Sequence, residues 1–113
     1  MTGYNPMDTR AQERASQERA KQAQQMERAL SDDLNRIMSN KSGRRFVLHL
    51  LNLAGTYRSC FDPNALQMAR MEGERNVGLK LQALIEAVCP DRYLEMLSEH
   101  MKHERSNDRP NAN

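Results

Sequence analysis

Apolar residues follow three different patterns along this chain. From Ala23, the residues Met26, Leu30, Leu34 and Ile37 follow at spacings of 3, 4, 4 and 3, a narrow stripe near the helical period. Ahead of it, RAQERASQERAKQAQQ is almost wholly polar and rich in good helix formers. QERA occurs at 12–15 and again at 17–20, but a five-residue offset fits no helical repeat and reads as biased composition. Asp8 and Thr9 offer N-caps for a helix running to about Met38. Such a helix, roughly 30 residues and about 45 Å long, carries too narrow a stripe to fold onto a small core along its length. Its first half is expected either to fray in isolation or to lie against a partner, with Ala23, Met26, Leu30, Leu34 and Ile37 as anchors.

The second pattern is denser. Asn40-Lys41-Ser42-Gly43 reads as a turn, and RRFVLHLLNLAG follows. After its basic pair that segment is apolar nearly all round, with only His49 and Asn52 polar. The pattern predicts a central core helix, closed by Gly55 as C-cap, and then a loop over 56–61. Asp62-Pro63 pairs an N-cap with proline at the first helical position, so a third helix is expected from there to about Val88. Pro90 begins a last helix with Tyr93, Leu94, Met96, Leu97 and Met101 on one side. No strand pattern is present. The predicted fold is all-α: a long polar N-terminal helix plus a compact bundle of three to four short helices. The expected division is an N-terminal arm over 1–41, a bundle over 42–105 and a polar tail over 106–113, with residues 1–7 an irregular lead.

Within the third segment, Gly73 and Gly78 bracket Glu74, Arg75 and Asn76. Each glycine costs about 1 kcal/mol against alanine inside a helix, so the pair needs an explanation. Either the helix breaks near Gly73 and restarts around Asn76, or both glycines let another helix approach closely. Gly73, Arg75 and Gly78 are candidates for a structural clamp, with Arg75 reaching loop carbonyls near Tyr57–Phe61 or the carboxylate of Glu72. The competing reading makes Glu72, Glu74 and Arg75 a solvated face.

At 113 residues the chain suffices for one domain and not for a large enzyme core. It has no tryptophan and five tyrosines and phenylalanines together, with eight methionines as adaptable filler. Its net charge of +2 is too small for a general nucleic-acid binder. Acids and bases balance over 1–40, whereas 41–58 carries Lys41, Arg44, Arg45 and Arg58 with no acid. Those four are candidate contacts for phosphate or for an acidic partner; without aromatic interleaving they do not indicate base stacking. Cys60 and Cys89 are far apart and read as reduced thiols. The start, MTGYNPMDTR, has no apolar signal region, and no apolar run approaches the ~20 residues of a membrane span.

The segment RRFVLHLLNLAGTYRSCFDPNALQMARMEGERNVGLKLQALIEAVCPDRYLEML resembles a small phage protein family named for the nineteenth protein of a Bordetella podophage. The resemblance rests on the basic pair and apolar helix ending in Ala54-Gly55, and on the Tyr57-Arg58-Ser59 loop ending at Phe61. It rests also on Glu72-Gly73, on Arg75-Asn76-Val77-Gly78-Leu79, and on Pro90 before Tyr93. It covers about residues 43–100 and leaves out the N-terminal helix. The resemblance implies a non-enzymatic structural protein from a tailed-phage virion gene cluster, made in the host bacterial cytoplasm and carried in the virion. It would assemble in several copies at the portal and tail junction or as an internal head protein. Implied partners are portal, adaptor or internal virion proteins, further copies of the chain, and packaged DNA. The alternative is a small regulatory or scaffold-like module contacting nucleic acid or protein in the infected cell.

Catalytic chemistry finds little support. His100 and His103, flanked by Glu99 and Glu104, share helical spacing, but HxxH without a third ligand is a weak metal signal. His49 reads as a hydrogen-bonded or boundary residue of the core helix. Cys60 has Arg58 nearby to favour a thiolate, yet no base stands within reach of it in the sequence pattern. There is no phosphate-binding glycine loop, no serine elbow and no paired carboxylate motif. No cofactor and no metal are expected.

Overall fold

The structure, a computed structural model, describes residues 6–108. Four helices follow one another: α1 (Pro6–Met38), α2 (Lys41–Leu53), α3 (Ala65–Val88) and α4 (Pro90–Asp108). Among the described residues there is no strand, and the fold is all-α as the patterns predict. Of the expected lead over 1–7, Pro6 and Met7 already belong to α1, while residues 1–5 and the end of the polar tail over 109–113 lie outside the described residues. Ser106, Asn107 and Asp108 of that tail belong to α4.

The chain divides into two compact units, Met1–Asp33 and Leu34–Asn113. The described part of the first is α1 up to Asp33. The helix begins at Pro6, earlier than the Asp8 or Thr9 caps foresee, and Asp8 instead lies in its first turn, where a negative charge suits the helix dipole. None of this unit's described side chains is buried. Its helix rests on the propensity of its residues, with no tertiary core of its own.

The second unit has a core. Leu34 and Met38 from the end of α1, Val47, Leu48 and Leu51 from α2, Ile85 from α3, Cys89, and Tyr93 and Met96 from α4 are buried together. Met38, Leu51, Ile85 and Met96 are its largest fully enclosed side chains. Leu81, Val88 and Leu97 pack around it. Helices α2, α3 and α4 each contact the other two.

Local chemistry sets the joints. The expected four-residue turn is shorter: Asn40 caps α2, its Oδ1 accepting from the Ser42 N–H at 2.9 Å, and Lys41 to Gly43 already form the first helical turn. Gly43 is needed there because a Cβ would collide with the Ile37 carbonyl of α1. At the other end Gly55 has φ +71°. Its N–H bonds to the Asn52 carbonyl and the Thr56 N–H to that of Leu51, which is a Schellman motif with Ala54 as C-cap and Gly55 one position beyond.

Helix α3 starts later than expected. Asn64, not Asp62, is its N-cap, accepting from the Leu66 and Gln67 N–H groups. Asp62 accepts from the Asn64 N–H at 2.8 Å and so orders the approach. The helix then runs unbroken through Gly73, which excludes the proposed break.

Candidate functional site

Helix α2 departs most from its expected role. Val47, Leu48 and Leu51 face the core, but Phe46 is 61% exposed, Leu50 38% and Leu53 71%. At spacings of four and three these make a second apolar face on the side of the helix away from the core. A helix apolar all round is therefore not central here: Val47, Leu48 and Leu51 are buried while Phe46, Leu50 and Leu53 are exposed. Helix α4 shows a lesser version, with Tyr93 and Met96 buried but Leu94 and Met101 exposed.

The expected α1 stripe is shared between two roles. Ala23, Met26 and Leu30 are exposed in the first unit, Met26 at 61%. Ile37 is exposed as well. Leu34 is not available to a partner: it lies in the core of the second unit, because the last turn of α1 packs there with Met38.

The basic cluster is also divided. Arg44 is buried, and it is no free phosphate contact. Its Nε donates to Glu99 Oε1 at 2.6 Å, its Nη1 to the Met38 carbonyl at 2.8 Å, and its Nη2 lies 3.3 Å from Glu95 Oε1. One guanidinium thus meets an end carbonyl of α1 and two carboxylates of α4. The Glu95 carboxyl is held below its usual range by the hydrogen bond from Arg92, with Arg44 adding to the effect. Lys41, Arg45 and Arg58 are exposed.

Two elements of the clamp part company. Gly78 is buried, and a Cβ on it would collide with the Thr56 hydroxyl. Thr56 is itself buried and donates to the Leu51 carbonyl at 2.8 Å. Close approach therefore accounts for Gly78. Gly73 is exposed with open space around it, so it takes no part in packing. Arg75 is half-buried, and among the described residues its buried Nε has no hydrogen-bond partner. Nearby, desolvation first and the Glu72 carboxylate second push the Cys60 thiol pKa up, opposite to the activated thiolate Arg58 would favour. The loop is tied elsewhere, by a 2.8 Å hydrogen bond between the Tyr57 and Tyr93 hydroxyls.

A groove of about 470 Å³ opens between α2 and α4, lined by Lys41, Arg45, Leu48, Met96, Glu99, His100, Lys102 and His103. No local spacing in the sequence links its α2 residues to its α4 residues, which lie so far apart along the chain. His100 Nε2 lies 3.4 Å from Glu104, and His103 shares a 3.1 Å hydrogen bond with Asn107. Among the described residues no group of three or more His, Cys, Asp or Glu side chains is placed to hold a metal. His49 is exposed and Cys89 is buried in the core. Among the described residues no helix is long and apolar enough to cross a membrane.

A family model described as Bbp19-like phage protein matches residues 34–98. The chain belongs to the Bbp19-like phage protein family. The match starts at Leu34, where the second compact unit also starts, so the Bbp19-like segment holds the whole core from Leu34 to Met96. It omits α1 up to Asp33 and the last part of α4, including Glu99, His100, Lys102 and His103. No curated protein and no solved structure matches the chain.

Proposed function

We propose that this Bbp19-like protein is a non-enzymatic structural component of the tailed-phage particle, assembling in several copies at the portal and tail junction or inside the head. The carrying observation is the outer face of α2, where Phe46, Leu50 and Leu53 stand in solvent on a helix already anchored by its opposite side. Met26 and Leu30 on α1 add a second exposed apolar stripe. Contiguous apolar positions of this kind mark interaction surfaces. Burying them yields about 25 cal/mol per Å² before the costs of association. In this reading the Bbp19-like core is the rigid module, and the exposed stripes make the contacts to further copies and to portal, adaptor or internal proteins.

The test is quantitative mass spectrometry of purified particles from the phage that encodes the chain. Several copies per particle, retained through density-gradient purification, is the expected result. Abundance in infected cells with none in particles overturns the proposal and favours a regulatory or scaffold-like role during infection.

A further inference from the structure

The groove between α2 and α4 has no part in the assembly reading, and its chemistry is distinct from that of the apolar stripes. Lys41 and Arg45 stand at the start of α2, and Lys102 on α4. Among the described residues none of the three has a carboxylate partner. Arg45 reaches only the Ser42 hydroxyl, at 3.5 Å. Gathering like charges without counter-charges is unfavourable, and an anion would relieve it. The first turn of α2 adds the positive end of its dipole.

One carboxylate lines the groove, that of Glu99, and Arg44 holds it at 2.6 Å from behind. The groove thus presents charged donors, and its one strong acceptor is already engaged. A peptide strand brings N–H donors that need acceptors; a phosphodiester backbone brings acceptors alone. Leu48 and Met96, both part of the buried core, close the floor of the groove, so its accessible contacts come from the charged walls. About 470 Å³ is room for a nucleotide-sized unit.

We propose that this groove binds the phosphodiester backbone of a nucleic acid, with Lys41, Arg45 and Lys102 as the phosphate contacts and His100 and His103 along the same wall. The contacts carry no base recognition, so binding is sequence-independent, and it rests on this local cluster of cations, since the chain's net charge of +2 is too small to drive it.

The test is fluorescence anisotropy of the full chain with a labelled random-sequence duplex, titrated at several salt concentrations. Two triple variants are compared: Lys41→Gln/Arg45→Gln/Lys102→Gln, and Arg10→Gln/Arg14→Gln/Arg19→Gln in the first unit. Each lowers the net charge by the same three units, and all six positions are exposed. Thermal melts verify that both variants remain folded. The unmodified chain is expected to lose about fortyfold in affinity between 50 and 200 mM salt if three phosphates are engaged. The groove variant should bind at least about tenfold more weakly at low salt, with a flatter salt slope, and the α1 variant should stay within about twofold. Equal losses in both variants, or no binding by the unmodified chain at 50 mM salt, overturn the proposal. So does displacement of the duplex by polyglutamate as effectively as by unlabelled DNA, which points to an acidic polypeptide. Saturation of the groove by millimolar inorganic phosphate, without duplex binding, overturns it in favour of a free-phosphate site.

Discussion

Gly78 of α3 lies against Thr56 so closely that a methyl group has no place between them. Thr56 cannot retreat, because its hydroxyl and its N–H both bond to the Leu51 carbonyl at the end of α2. Gly78→Ala is therefore expected to destabilise the protein by about 1–3 kcal/mol through overpacking, in spite of alanine's better helix propensity. Gly73→Ala, five residues earlier on the same unbroken helix with open space around it, is expected to stabilise by up to about 1 kcal/mol. Urea titrations of the two variants check the pair, and opposite signs are the predicted outcome.

Arg44 joins three helices from a buried position, and its partners lose most of their compensation without it. Arg44→Met should cost about 3 kcal/mol, because the Glu99 carboxylate and the Met38 carbonyl are left unpaired. Arg45→Gln, one position on but exposed, should stay within about 0.5 kcal/mol. Thermal or urea denaturation distinguishes a structural Arg44 from a surface one.

The Tyr57 hydroxyl is held above the ordinary tyrosine range by desolvation first and by its bond to Tyr93 second. The folded state therefore keeps a proton that the unfolded chain releases near pH 10. Stability from the Tyr57 hydroxyl is fully present below pH ~10 and declines as pH rises further. Glu95 acts in the opposite range: its lowered folded pKa gives stability that is present above the ordinary glutamate value and lost as pH falls through the folded one. Tyr57→Phe should flatten the alkaline limb of a stability–pH curve and Glu95→Gln the acid limb. Each should leave the other limb unchanged.

Much of this architecture is legible in the sequence, for local reasons. The helical stripe of α1, the Ala54-Gly55 stop and Pro90 at the head of α4 are short-range signals, and the structure uses each of them. Cap choice was less legible: Asp62 and Asn64 flank one proline and have similar capping chemistry, so only the folded chain shows that Asn64 takes the helix and Asp62 supports it. The outer face of α2 could not be foreseen, because periodicity identifies an apolar position without saying which surface covers it. Arg44–Glu99 spans 55 residues, and the groove joins α2 to α4 over a similar distance. Such pairings are properties of packing, and no spacing rule reports them.

If Phe46 and Leu50 are contact residues, replacing them should leave the fold intact. Phe46→Ser and Leu50→Ser remove apolar side chains that are 61% and 38% exposed, so each is expected to change unfolding stability by less than about 1 kcal/mol. Leu51→Ser, fully buried on the opposite side of the same helix, should cost about 3 kcal/mol or more. Circular dichroism melts at low protein concentration separate the two faces.

Sedimentation velocity of the full chain over a wide concentration range tests the central claim most directly. The account predicts concentration-dependent assembly beyond the monomer, weakened by Phe46→Ser/Leu50→Ser and by Met26→Ser/Leu30→Ser while both variants stay helical. A chain that sediments as a monomer throughout, or assembly that neither pair of substitutions alters, would contradict it.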